Sequence, residues 1–296
     1  MDQQQEQPQQ LLQKLTPEHL AAWDRDGFLV IPREQLWTEE QVKEIVQWTT
    51  DVGNWPETPG KWMMYFSKSL KDGSRLLHRI ENFFDYHPEF MELFNSPRFL
   101  GFVSQLFGER ALLYKEKINF KYPGGEGFEP HQDHAAGWWL YGHTLHITAL
   151  VTVDKATAAN GALEVVAGRH KEGLLGGKFE AVPKEEVDKM TWILTETNPG
   201  DLVFFDSFVP HRSAPNLSEE PRRVLYVTYN KASEGDYRVQ YYQDKRKSYP
   251  PGTVHSLSLS SPTLFFCCLS ERLPLLFITV VSDCEREEGK NYEYKI

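Results

Sequence analysis

The spacing of apolar residues changes character about one third of the way along the chain. In the N-terminal part it is helical. Thr16-Pro17-Glu18 supplies an N-cap and a first-turn proline, and the helix they open runs to Asp26, where Gly27 stops it. Phe28-Leu29-Val30-Ile31 is a short apolar strand. Thr38-Glu39-Glu40-Gln41 forms a capping box, and the helix behind it carries Val42, Ile45 and Val46 on one face. A single further helix is expected over Pro88 to Phe107, closing at Gly108.

From Leu112 onward the period becomes two. Tyr114, Ile118, Phe120 and Tyr122 are expected on one face of a strand, with Lys115, Lys117, Asn119 and Lys121 on the other. Leu145, Ile147, Ala149, Val151 and Val153 alternate in the next strand. Asn160-Gly161 is a turn before a strand over Ala162 to Val166. Asn198-Pro199-Gly200-Asp201 turns into Leu202 to Phe205, and a last strand spans Arg223 to Tyr229. Helices followed by many strands predict an α+β protein with a double-sheet jelly-roll core and N-terminal and flanking helices. There is no internal repeat and no membrane-spanning run.

Composition narrows this reading. At 296 residues and 40% hydrophobic, the chain can bury a sizeable core. A net charge of -10 argues against nucleic-acid and anionic-membrane surfaces, yet a local cationic pocket can still take a small anionic substrate. Cys267, Cys268 and Cys284 have neither zinc-like spacing nor the makings of a disulfide framework, so a reduced, cytoplasmic setting is expected. No secretory, transit or peroxisomal signal is read at either end.

Two segments stand apart. Residues 1–14 are a Gln-rich lead expected to be disordered. Residues 254–282 are apolar without period and rich in Ser, Leu, Phe and Pro, residues with pyrimidine-rich codons. They read as an unspliced intron translated in frame, or else as a genuine hydrophobic insertion. Residues 283–296 are then a C-terminal tail.

The candidate chemistry lies between these segments. His131-Gln132-Asp133 places an imidazole and a carboxylate two residues apart, on one side of an extended chain. His211 follows the strand Leu202 to Phe205. Together His131, Asp133 and His211 supply a 2-His-1-carboxylate facial triad, which binds one face of Fe(II) and leaves other positions open for cosubstrate and O₂. Arg222, eleven residues after His211, can pair bidentately with a carboxylate such as the distal one of 2-oxoglutarate, and Ser213 can donate to the same group. Taken singly, each of these residues is ordinary: a surface His-x-Asp, a turn histidine, a solvated arginine. One metal chemistry accounts for the whole set.

These residues also carry a resemblance. Phe128-Glu129-Pro130-His131-Gln132-Asp133, Asn160-Gly161-Ala162-Leu163, Gly168-Arg169-His170, Pro199-Gly200-Asp201 and His211-Arg212-Ser213 with Arg222 resemble the phytanoyl-CoA dioxygenase family of non-haem Fe(II)/2-oxoglutarate oxygenases, over about residues 20–250. The resemblance implies a cupin-like double-stranded β-helix over a domain of residues 15–253. It implies Fe(II) on His131, Asp133 and His211, with Arg222 and Ser213 on the distal carboxylate of 2-oxoglutarate. Lys117 is implied more weakly as a residue lining the cofactor site. The expected reaction is hydroxylation of an unactivated C–H bond of a small organic molecule, anionic ones included, by O₂, releasing succinate and CO₂. Asp133 favours hydroxylation over halogenation, since related halogenases have a small residue there.

Two rivals remain at this point. One is an O₂-independent or differently metallated cupin-like enzyme, which has no need of Arg222. The other is a catalytically inactive binding protein that keeps the fold. His134, His143 and His146 are read as packing or supporting residues, and Trp138, Trp139 and Tyr141 as either a pocket wall or core. Arg79 and Glu81 are read as a structural ion pair, or as contacts to an anionic or zwitterionic substrate such as an aminophosphonate or a CoA ester.

Overall fold

The computed structural model of the protein describes residues 11–252. The 254–282 segment and the 283–296 tail lie outside the described residues, as do residues 1–10. Leu12 donates its backbone N–H to Gln35 O at 2.7 Å, so the chain engages the fold two residues before the expected end of the lead.

In order, the elements are α1 (Pro17–Asp26), β1 (Phe28–Ile31), α2 (Glu39–Gly53), β2 (Met63–Lys68), β3 (Arg75–Glu81), α3 (Pro88–Phe94), α4 (Pro97–Phe107), β4 (Ala111–Lys121), β5 (Phe128–His131), β6 (His146–Thr152), β7 (Leu163–Val165), α5 (Lys184–Val187), β8 (Ile193–Thr195), β9 (Leu202–Asp206), β10 (His211–Ser213), β11 (Arg222–Lys231) and α6 (Arg238–Ser248). Both expected N-terminal helices start as read. Thr16 Oγ1 accepts from His19 N, and Thr38 Oγ1 accepts from Gln41 N while the Gln41 side chain accepts from Thr38 N.

The helix expected over 88–107 is two helices. Pro97 has no N–H to give α3 and bars its predecessor from helical backbone. Ser96 is accordingly extended (ψ 147°), and its hydroxyl caps α4 by accepting from Phe99 N.

The strands form two antiparallel sheets, one of seven strands in the order β1-β9-β6-β11-β4-β3-β2 and one of four in the order β5-β10-β7-β8. The outer face of the large sheet is dry. Ile118, Phe120, Ile147, Val151, Phe204, Leu225 and Val227 pack against Ile45 of α2, Phe90 and Phe94 of α3, and Phe99, Phe102 and Val103 of α4. Seven full side chains of this size remove enough apolar surface to anchor the helices (roughly 1.5–3 kcal/mol each). Between the sheets a second cluster joins Leu150, Val203, Phe205, Val224 and Tyr226 to Leu163 and Val165 of β7. The two sheets thus face each other as the halves of a double-stranded β-helix. Toward β3 and β4 this inner layer turns polar, and the site lies there.

One expected face is wrong. Thr228 pairs with Lys115 while the next residue, Tyr229, pairs with Leu113, so Tyr114 is the extra residue of a β-bulge. The bulge takes Tyr114 off the Ile118 face and into an inner cluster with Met63, Tyr65, Trp138, Tyr241 and Tyr242. Glu116 stays on the outer side, where it is fully buried. It accepts from Phe83 N (2.8 Å) and Phe84 N (3.0 Å) and pairs with Arg238 of α6, which ties that helix to β4.

Gly161 shows how tightly the sheets meet at the Asn160-Gly161 turn. It sits at φ +74°, and a Cβ there would lie 2.0 Å from Ala214 O. Gly161→Ala is therefore expected to destabilise the protein by about 2 kcal/mol or more, from strain at positive φ and overpacking together. Chemical denaturation of both proteins checks this, with a shift in midpoint at unchanged slope.

Candidate active site

The chain brings His131 and His211 together by strand pairing. They are direct partners across β5 and β10, and their rings lie 4.1 Å apart between centroids. Asp133 follows at the start of a 3-10 turn, its Oδ1 3.9 Å from the Nε2 of each histidine. All three side chains are buried, and their donor atoms lie within 4.8 Å of one another.

Backbone carbonyls fix the histidine tautomers. His131 Nδ1 contacts Glu129 O at 2.7 Å and His211 Nδ1 contacts Val209 O at 3.0 Å. A carbonyl can only accept, so each Nδ1 carries the proton and each Nε2 keeps its lone pair facing Asp133. Gln132, between two of these residues, holds the segment still. Its amide donates to Gly173 O and Phe208 O and accepts from Leu175 N, all at 2.7–2.8 Å.

The electrostatics suit a cation. Burial, then the neighbouring His211, lowers the His131 pKa to about 3, and burial likewise lowers that of His211, so both rings are neutral. Burial pushes the Asp133 carboxyl upward, but His211, Lys117 and Lys115 together outweigh it and the net shift is downward. Two neutral imidazoles and one carboxylate, converged and proton-free, form a donor set that fits Fe(II).

Beside the triad is a small cavity, whose wall includes Lys117, Asn119, Phe128, Leu163, Ser213 and Tyr226. Two of the three expected cofactor residues, Lys117 and Ser213, therefore line it with the triad. Arg222 is buried just behind, in contact with the Tyr226 hydroxyl, and its Nε has no hydrogen-bond partner. Lys121, the register partner of Arg222, donates to Ser213 Oγ at 2.7 Å and to Ala214 O at 2.6 Å.

Sequence reasoning missed Asn119 and Tyr226 as site residues. Their signal was present in the period of two: Asn119 shares a strand face with Lys117, and Tyr226 with Arg222. Trp138 belongs to the inner aromatic cluster, with the Lys115 ammonium 4.1 Å above its ring. His143 and His146 are buried and hydrogen-bonded to each other at 2.8 Å, and His134 stacks on Phe208. Arg79 and Glu81 form a buried ion pair at 2.7 Å, completed by Lys245 of α6 at 2.7 Å.

Comparison with known proteins decides the family. The profile described as "Phytanoyl-CoA dioxygenase (PhyH)" matches residues 23–224. The chain belongs to the phytanoyl-CoA dioxygenase family. It is 43% identical over 237 residues to a 2-aminoethylphosphonate dioxygenase from uncultured bacterium HF130_AEPn_1, covering 80% of this chain and 89% of that one. It is 37% identical to a methylphosphonate hydroxylase from Gimesia maris, covering 79% and 88%. Among solved structures it is similar to EctD from S. alaskensis with 2-oxoglutarate and 5-hydroxyectoine, with a TM-score of 0.64 at 19% identity over 74% of this chain and 77% of that one. As a family member this protein is an iron- and 2-oxoglutarate-dependent dioxygenase, and its fold is the expected cupin-like one. No helix among the described residues is long and apolar enough to cross a membrane.

The buried histidines away from the triad predict an acid limit to stability. Burial first, and then His143, hold the His146 pKa well below 6.5, and burial lowers that of His143. The unfolded chain then binds protons that the folded one refuses. Stability is present in full above pH 6.5 and falls as pH drops below it. Thermal melts of metal-free protein are expected to fall steadily from pH 6.5 to 5. His146→Phe is expected to flatten that fall.

Proposed function

We propose that this enzyme hydroxylates a C–H bond of a small organophosphonate, with iron(II) on His131, Asp133 and His211 and with Arg222 and Ser213 on the distal carboxylate of 2-oxoglutarate. The observation that carries the reading is the convergence of three proton-free donor atoms at the mouth of a cavity backed by a buried arginine. The names of the two curated relatives supply the substrate class.

Bound together, iron(II) and 2-oxoglutarate supply O₂ activation: one oxygen atom enters the C–H bond and the other enters succinate, with CO₂ released. The chain's own residues do the rest. Arg222 is a buried guanidinium with donors to spare, and a carboxylate is its natural partner. Ser213 Oγ accepts from Lys121, so its own O–H remains to be donated into the cavity. Lys117, on the cavity wall, offers a further positive charge to the anions gathered there. Phe128 and Leu163 keep that wall apolar, which limits water near the metal. The partners are then the small-molecule substrate and O₂, in the cytoplasm, with no nucleic-acid or membrane surface involved. The convergence of the three candidate donor atoms favours catalysis over the inactive-binder alternative.

Anaerobic titration with Fe(II) and 2-oxoglutarate is expected to give the weak visible charge-transfer band of the chelate. His131→Ala should abolish it. Arg222→Ala should retain it but need roughly ten- to a hundredfold more 2-oxoglutarate, the worth of a lost charge-assisted pair. A normal band in His131→Ala would refute the ligand assignment. Succinate release that no phosphonate stimulates would refute the substrate class.

A further inference from the structure

The polar half of the inner layer holds more positive charge than the triad and cosubstrate account for. Lys115, Lys117, Arg79 and Lys245 interact electrostatically as one group, and the carboxylates among them are Glu81 and Asp133. Four basic side chains against two carboxylates leave two bases in excess. Iron(II) and dianionic 2-oxoglutarate cancel each other, so their arrival does not remove the surplus. This lies inside a chain whose net charge is -10.

Within the group the carboxylates are unevenly shared. Glu81 is fully buried and is claimed by Arg79 on one side and Lys245 on the other. Asp133 is committed to the triad. Lys115 is left over. It is buried, and no hydrogen-bond or ion-pair partner among the described residues reaches its ammonium, which has only the rings of Trp138 (4.1 Å) and Tyr241 (5.7 Å). Strand alternation places it on the Lys117 side of β4, next along that face from a residue lining the cavity beside the triad. Trp138 in turn lies in the turn that follows Asp133.

An unpaired buried ammonium is costly, and burial accordingly pushes its pKa well down. Two aromatic faces offset only part of that cost. Such a group is retained where a ligand completes it.

We infer that Lys115, supported by the Lys245–Glu81–Arg79 ion pairs beside it, binds the dianionic head group of the substrate. It is a substrate-binding residue distinct from those proposed for 2-oxoglutarate. The inference rests on the organophosphonate reading above and adds where the phosphonate oxygens go. Trp138 and Tyr241 then set the size of the group that fits beside the head group, favouring short alkyl chains.

Lys115→Met keeps the length and removes the charge, and four measurements on the full-length protein test it. Calorimetric titration with methylphosphonate and with 2-aminoethylphosphonate, on protein loaded with Zn(II) and 2-oxoglutarate, is expected to show binding weakened at least tenfold in the variant. The 2-oxoglutarate requirement of the Fe(II) chelate band should be unchanged. The KM for phosphonate-stimulated succinate release should rise by at least the same factor. The melting temperature without ligand should hold or rise, because an uncompensated charge has been removed from the interior. Lys115→Arg should recover part of the phosphonate affinity.

Phosphonate binding equal in variant and wild type overturns the inference and leaves the function standing. A weakened chelate band overturns it by assigning Lys115 to the cosubstrate. A lower melting temperature with unchanged phosphonate affinity makes Lys115 structural and also overturns it. If wild type shows the chelate band but binds neither phosphonate, the substrate class itself is wrong.

Discussion

The pairing of His131 with His211 across β5 and β10 is the constraint on which the site depends. Two short strands, four residues and three, hold the two imidazoles opposite each other. Neither strand would stay in register alone, since three or four ladder bonds do not outweigh the backbone entropy lost. They are held from outside. On one flank β10 pairs with β7 through His211–Val165, Arg212–Glu164 and Ser213–Leu163, and Leu163 and Val165 are buried in the inter-sheet core. On the other, Gln132 ties the motif to the backbone at Gly173, Leu175 and Phe208. The middle residue of the His-x-Asp motif is thus as much a part of the candidate metal site's geometry as the two donors beside it.

The same strands divide the interior into two dielectric regimes. The inner layer is apolar over β6 and β9, where Leu150, Val203 and Phe205 meet β7. It is ionic over β3 and β4, where Arg79, Glu81, Lys115, Lys117 and Lys121 follow one another. Buried ions are expensive, and pairs such as Glu81 with Arg79 and Lys245 seldom repay their desolvation in stability alone. Concentrating them on one half of one sheet leaves the other half dry enough to hold the fold together. The helical layer on the outer face, with its stacked phenylalanines, makes that division affordable.

The legible features of the sequence were those written in a local period. The strands around 28–31, 112–122, 145–153, 162–166, 202–205 and 223–229, both N-terminal helix starts and the placing of His131 beside Asp133 follow from spacing along one segment. The break at Ser96-Pro97 was written there too, as a capping serine and a first-turn proline, but the long apolar run around it masks it. Other features depend on partners far away in the chain. The bulge at Tyr114 exists only relative to Thr228 and Tyr229, so alternation alone put Tyr114 on the wrong face. The Glu81–Lys245 pair joins residues 164 positions apart, and the clamp of Lys121 on Ser213 joins residues 92 apart. No local pattern encodes such pairs.

Lys117 and Lys121 show how one strand face can divide its labour. They are four residues apart on β4 and face the same interior, but their surroundings differ. Lys121 is satisfied by the neutral oxygens of Ser213 and Ala214, so its charge is spent on joining the two sheets. Lys117 has the ring of Tyr226 at 4.8 Å and the metal cavity in front of it. An ammonium with two close acceptors is a structural device, whereas one facing a ring and a cavity keeps its donors for something that arrives. Along β4, from Lys121 through Lys117 to Lys115, the lysines pass from fully satisfied to unpartnered. That order runs from the strap between the sheets, past the His131-Asp133-His211 triad, to the aromatic cluster. The gradient gives the candidate site a direction, with the Ser213 end preformed by protein contacts and the Lys115 end left without them.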